Sequence, residues 1–284
     1  MISGIKKRKG VIVITGEVGV GKTILIYALL KDLSEEMKTA FIFNPRVDFK
    51  NILENILRDL KAPIGEKGEN LFSLLVHFRK YVNEKLTQGY TVAIVIDEAQ
   101  SLDEEVLENL YRLATPDSPA THSLQILLVG HPEVELKLNS EKLRPYKDKI
   151  SLHYHISPLT REESRDYINY RLNLVGQNIS GIFTSQAVDR IWEYAGGIPR
   201  VMNLLCDRAL RIGFRSSSQT INSRIVNQAI RDLGYLKPRK SKSFPPFLSQ
   251  KKSRYRLLKI LFLLFSVGIF FLSLSKMIDL LLRT

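Results

Sequence analysis

The sequence predicts an α/β protein: a parallel sheet covered by helices, then an all-helical domain, then one transmembrane helix. Three observations carry that prediction. Up to about residue 156, short β-branched apolar runs alternate with longer helical patterns. Such runs fit strands buried on both faces, and the alternation fits right-handed crossovers. Between 157 and 235 helical periodicity continues with no convincing strand. Residues 257–275 then form a long apolar run.

The elements follow in order. Lys6 to Lys9 precede an apolar run of only Val11 to Thr15, too short for a secretion signal. Strands are expected at 11–14, 39–43, 92–96 and 124–129, with helices at 22–37, 49–60, 70–87 and 103–114. In the helical domain, helices are expected at 161–174, 184–195, 199–213 and 222–233. Thr160 with Glu163, and Thr184 before an apolar periodic run, read as helix starts. The expected division is 1–156 for the sheet core, 157–236 for the helical domain, 237–256 for a basic Pro/Ser linker, 257–275 for the membrane helix and 276–284 for a short tail. Nineteen residues of helix span about 28 Å, close to a bilayer core; a buried or amphipathic helix is the alternative.

The chain has 284 residues, 44% of them hydrophobic and 25% charged, as in a folded globular protein, and a net charge of +13. The excess is local. Eleven of the 42 basic residues fall at 237–284 with one acid, Asp279, leaving 31 basic against 28 acidic residues before them. A nucleic-acid partner argued from total charge loses most of its force. Basic residues crowd the N-terminal flank of 257–275, so the positive-inside rule places residues 1–256 in the cytoplasm, with a single pass through the inner (plasma) membrane. The single cysteine, Cys206, excludes an internal disulfide framework.

The strongest motif is Gly16-Glu17-Val18-Gly19-Val20-Gly21-Lys22-Thr23, which matches G-x-x-x-x-G-K-[ST] between a strand and a helix. Its glycines let backbone N–H groups curl around phosphate oxygens, and the helix dipole favours the same anion. Lys22 is expected on the β- and γ-phosphates of ATP and Thr23 on Mg²⁺. The second motif is the strand 92–96 ending in Asp97 and Glu98. Asp97 is expected to hold Mg²⁺ opposite Thr23, and Glu98 to orient or deprotonate the attacking water. Two acids after a strand also suit a plain helix cap; the upstream phosphate loop favours the catalytic reading.

These stretches, with Asp97-Glu-Ala-Gln100, Leu127-Leu-Val-Gly-His-Pro-Glu133 and the segment from Gly196-Gly-Ile-Pro-Arg200 to Leu210, resemble the AAA+ ATPases, and within them the ExeA/GspA type of the general (type II) secretion pathway. The resemblance covers about residues 10–235. It implies a P-loop NTPase core with a helical lid, a following membrane helix, a sensor-1 role for His131, a sensor-2 role for Arg200, and assembly into a homo-oligomer or with a secretion-complex partner. A strand-end His with a satisfied hydrogen bond and a lid–core salt bridge are the plain alternatives for those two residues. The sequence departs from the family in three ways. The family has a longer segment before the phosphate loop, part of which contacts adenine. Lys149 stands where an arginine finger is expected, with Arg144 nearby and Pro145 breaking the local helix. The family's secretion members continue into a peptidoglycan-binding region, so no wall binding is expected here.

The implied function is a membrane-anchored, cytoplasm-facing ATP hydrolase that assembles or remodels a secretion or envelope complex. The alternatives are a DNA-associated ATPase of a mobile element and a non-hydrolysing nucleotide-gated scaffold. Trp192, Phe183 and Leu204 are expected in the core of the helical domain, and Cys206 as a buried small hydrophobe. His77, His122, His153 and His155 are not expected to form a metal cluster with the carboxylates; His153 and His155 alternate in a strand-like run.

Overall fold

The computed structural model describes residues 10–32, 37–43, 45–63, 68–114 and 124–234. The linker, membrane helix and tail expected at 237–284 lie outside the described residues, as does His122. No helix among the described residues is long and apolar enough to cross a membrane. The described chain divides into two compact units, residues 10–16 with 29–156 and residues 17–28 with 157–234.

The first unit is built on five parallel strands: β1 (Val11–Gly16), β2 (Met37–Ile42), β3 (Thr91–Ile96), β4 (Leu124–Gly130) and β5 (Ile150–Ile156), in the order β2-β3-β4-β1-β5. The three central strands are buried along their whole length, which is why they read as continuous apolar runs. β5 is an edge strand with mixed exposure, and its weaker alternation left it less visible in the sequence. Because every pair is parallel, the carboxyl ends of β1, β3 and β4 share one edge of the sheet, where ligands of open α/β sheets sit.

Helix α1 (Lys22–Asp32) follows the phosphate loop; Met37, expected at the helix end, instead begins β2. Helix α2 (Phe49–Asp59) is capped by Asp48 and buries Phe49, Ile52, Leu53, Ile56 and Leu57, a spacing of three and four that lines one face. Helix α3 (Leu71–Thr87) is capped by Asn70, and α4 (Glu104–Ala114) buries Val106, Leu107, Leu110 and Tyr111. Short α5 (Glu133–Leu138) follows β4. Pro145 sits in a 3-10 turn, Arg144–Lys149, whose Arg144 and Lys149 are exposed.

The second unit is helical: α6 (Arg161–Asn173), α7 (Ile179–Ile182), α8 (Ser185–Ala195), α9 (Pro199–Arg215) and α10 (Ser223–Asp232). Thr160 and Glu163 form a complete capping box, and Thr184 caps α8. A single parallel bridge joins Phe183 and Ile221. The core gathers Ala187, Val188 and Ile191 of α8, Met202, Leu205 and Ala209 of α9, and Val226 and Ala229 of α10. Phe183 is buried, and Trp192 is partly buried with its indole N–H donating to the Leu159 carbonyl at 3.2 Å. Leu204 corrects the sequence reading: it is 41% exposed. The buried face of α9 runs through 202, 205, 209 and 212, and Leu204 sits about a hundred degrees off Leu205. Cys206, expected to be buried, is partly buried against this core; desolvation pushes its thiol up to about 12, consistent with an inert side chain.

Candidate functional site

In the second unit, the loop from Glu17 to Gly21 turns through Gly19 at φ +83° and Gly21 at φ +94°. Both lie in the left-handed region, where glycine carries no steric penalty. Gly16 itself ends β1, so the loop leaves the sheet at that strand's carboxyl end. Val18 is exposed and Val20 is buried. Lys22 is 6% exposed, and its Nζ donates to the Glu17 carbonyl at 3.0 Å, folding the ammonium back over the loop. Thr23 follows it in the first turn of α1.

The start of α9 is fastened to this loop by main chain. The Arg200 N–H donates to the Gly19 carbonyl at 3.3 Å. A Cβ on Gly19 would stand 2.8 Å from Arg200 Cβ and 3.1 Å from Ile198 Cγ2, so the close approach needs a glycine. Arg200 is exposed beyond that anchor. Ile198 was not anticipated from sequence; its signal is its place between the Gly196-Gly197 turn and Pro199, which starts the helix.

In the first unit, buried β3 delivers Asp97 and Glu98 at its carboxyl end. Asp97 is 5% exposed, and its N–H extends the β2–β3 ladder by donating to the Ile42 carbonyl at 3.0 Å. Its Oδ1 accepts from the Glu98 N–H at 2.9 Å. Glu98 takes φ 55° and ψ 38°, a left-handed conformation uncommon for a residue with a Cβ. Glu98 stands at the N-cap position of the 3-10 turn Ala99–Ser101, and its side chain makes no capping bond there. The Glu98 carboxylate accepts from Gln100 Nε2 and lies 3.8 Å from His131 Nε2. His131, one residue past β4, also faces Glu133 at 3.9 Å. So Glu98 and His131, read from sequence, come together, and Gln100 joins them. Its signal was the short Asp97-Glu-Ala-Gln100 spacing.

A second cluster was not anticipated. Thr15 of β1, fully buried, donates to Glu135 Oε1 at 2.9 Å and meets His155 Nδ1 at 3.0 Å and His153 Nε2 at 3.5 Å. His153 also pairs with Glu135 at 3.2 Å. Burial pushes His153 below the usual imidazole value, opposed by the Glu135 carboxylate and aided by His155. Among the described residues no group of three or more His, Cys, Asp or Glu could hold a metal ion. The signal for this cluster was a polar residue at the end of an apolar strand.

The residues present fit a magnesium-nucleotide. Two left-handed glycines and a cation in the second unit suit a polyphosphate; the Thr23 hydroxyl of the second unit and the buried Asp97 carboxylate of the first are each hard oxygen donors of the kind Mg²⁺ takes.

Residues 5–138 match a protein family described as an AAA domain. The chain is 34% identical over 218 residues to general secretion pathway protein A of Aeromonas hydrophila. That match takes in 77% of this chain and 40% of the relative, so the chain spans well under half of that protein's length. Among solved structures, the Aeropyrum pernix ORC2 protein in ADPNP and ADP complexes matches with a TM-score of 0.59 at 20% identity, over 81% of this chain and 64% of the other. Cdc6p from Pyrobaculum aerophilum matches with a TM-score of 0.62 at 18% identity, over 78% and 60%. Those likenesses establish the fold alone.

Proposed function

This chain carries a P-loop AAA domain and is related to general secretion pathway protein A, and from that premise we propose that it binds and hydrolyses ATP. We further propose that residues 257–275 hold it in the inner membrane with the ATPase in the cytoplasm, and that turnover drives assembly or remodelling of a secretion or envelope complex.

The observation that carries the hydrolytic reading is the Asp97-Glu98 pair at the end of β3, on the sheet edge from which β1 enters the phosphate loop. In this reading, Lys22 exchanges the Glu17 carbonyl for phosphate oxygens and neutralises them. Thr23 and Asp97 would hold Mg²⁺, which would supply screening of the phosphate charge when bound. The Glu98 carboxylate orients the water that attacks the γ-phosphorus in line and takes its proton, while the bond to the β-phosphate oxygen breaks and ADP leaves. His131 steadies the same water, and the Arg200 guanidinium supports the γ-phosphate oxygens.

Glu98→Gln tests this in inverted inner-membrane vesicles from cells making the full chain. The wild-type vesicles should release phosphate from externally added ATP. The variant should bind ATP with similar affinity and turn over about 100-fold more slowly. Equal rates in the two would sink the mechanism, and ATPase activity absent from the vesicle fraction would sink the membrane assignment.

A further inference from the structure

We propose that Gln100 is the positioning residue for Glu98, a single amide that fixes the water-orienting carboxylate and ties it to the end of β4. The proposal rests on the hydrolytic reading above and deepens it.

The geometry is specific. Gln100 Nε2 donates to Glu98 Oε2, while Gln100 Oε1 accepts from the His131 backbone N–H at 3.0 Å. The amide therefore spans the ends of two neighbouring strands, β3 and β4. Its orientation is dictated by its partners: the nitrogen must face the carboxylate and the oxygen the N–H, and the reverse would put like beside like at both ends. The task needs one donor and one acceptor at the tip of a side chain of this length. An ionised Glu has no donor, Lys and Arg have no acceptor, Met has no donor and only a weak acceptor, and Asn is one methylene short.

The surroundings are shaped to admit that amide. Gly130 ends β4, and a Cβ there would stand 2.6 Å from Gln100 Oε1 and 3.3 Å from the Ala99 and Gln100 nitrogens. The Glu98 side chain is 48% exposed. Its left-handed backbone and the turn bond from Ser101 N–H to the Glu98 carbonyl at 2.8 Å fix where the side chain starts. The Gln100 amide fixes where it ends. The carboxylate and His131 are thereby held as one unit, since His131 is reached through its own N–H and its ring lies 3.8 Å from the same carboxylate oxygen.

A positioning role acts through Glu98, and a double-mutant cycle separates that from a general structural role. The full chain is compared as wild type, Gln100→Leu, Glu98→Gln and the double variant, with ATP affinity, KM and single-turnover rate measured for each. Gln100→Leu alone should slow turnover about tenfold or more, with KM and ATP affinity within twofold. In the Glu98→Gln background it should slow turnover no further. Equal slowing in both backgrounds, or no slowing in the first, overturns the proposal. Gln100→Glu keeps the size and the acceptor, removes the donor and adds a negative charge beside Glu98, so it should reproduce the loss in a folded chain; full activity there also overturns the proposal. Amide exchange in nucleotide-free protein supplies a readout independent of activity. The His131 N–H should exchange faster in Gln100→Leu and at the wild-type rate in Gln100→Glu; unchanged exchange in Gln100→Leu overturns the bridge. A wild-type chain that binds ATP without hydrolysing it overturns the hydrolytic reading, whereas a hydrolysing wild type with additive losses overturns only the role of Gln100.

Discussion

The two units hold the residues of the candidate site by different means. At the sheet edge of the first, side chains hold side chains: Gln100 grips Glu98, and Thr15 gathers Glu135, His153 and His155. In the second, main chain holds main chain: Arg200 N–H meets the Gly19 carbonyl, and Leu159 N–H meets the Gly197 carbonyl at 2.8 Å. The difference follows from the supporting elements. Parallel strands end in a row and leave polar tips side by side, so contacts can be made at side-chain length. Helix termini offer unpaired backbone groups, which another backbone can satisfy only by close approach, and that approach requires glycine. Substitutions should therefore be read by chemistry in the first unit and by backbone geometry in the second.

The largest expected effect tests the backbone half of that contrast. Gly197 sits at φ +72°, and a Cβ there would lie 2.1 Å from the Leu159 carbonyl oxygen and 2.9 Å from its nitrogen. The same oxygen accepts from Trp192 Nε1. Gly197→Ala should cost about 4 kcal/mol, combining left-handed strain with a clash against backbone that cannot swing away. Gly176 also has positive φ, +71°, but open space around it, so Gly176→Ala should cost only about 1 kcal/mol. Urea unfolding followed through Trp192, the single tryptophan, measures both. Similar losses in the two variants would show that positive φ alone governs, and the contrast with close approach would fail.

An intermediate effect belongs to the side-chain half. Burial holds His153 below the usual imidazole value of 6.5, while Glu135 and His155 face it from α5 and β5. Between that lowered value and about 6.5 the unfolded chain carries the additional proton. The stability tied to neutral His153 is therefore full above about pH 6.5 and is lost as the pH falls through the lowered value. Unfolding free energy measured from pH 8 to pH 5 should decline in the wild type and decline less in His153→Gln, with Thr15 and Glu135 unchanged. Parallel profiles would remove His153 as the source.

Much of this was legible in the sequence because the central strands and helices are locally self-consistent. Val11 to Ile14, Val92 to Ile96 and Leu124 to Val129 fit strands covered on both faces, and Thr160 with Glu163 announced its cap. The glycine loop and the Asp97-Glu98 pair were legible because each is a run of neighbouring residues directly after an apolar strand, readable without knowing the tertiary contacts. Gln100, Gly130 and the Thr15 cluster were not, because each depends on residues 30 to 140 positions apart meeting at one sheet edge. Edge strand β5 was half-visible for a related reason: its exposed face relaxes the apolar pattern that marks its neighbours.

The smallest expected effect sharpens the reading of α9. Leu204 and Leu205 are adjacent and chemically identical, yet Leu204 is 41% exposed and Leu205 fully buried. Leu204→Ala should change stability by no more than about 0.5 kcal/mol, since both residues are strong helix formers and little burial is lost. Leu205→Ala should cost about 3 kcal/mol, because it removes packing beside Met202 and Ala209 and leaves a cavity. Urea midpoints of the two variants decide the matter. A large loss at Leu204 would mean that this exposed face of α9 is covered in the working protein, and the helical unit would then be held by side-chain packing there as well as by its backbone.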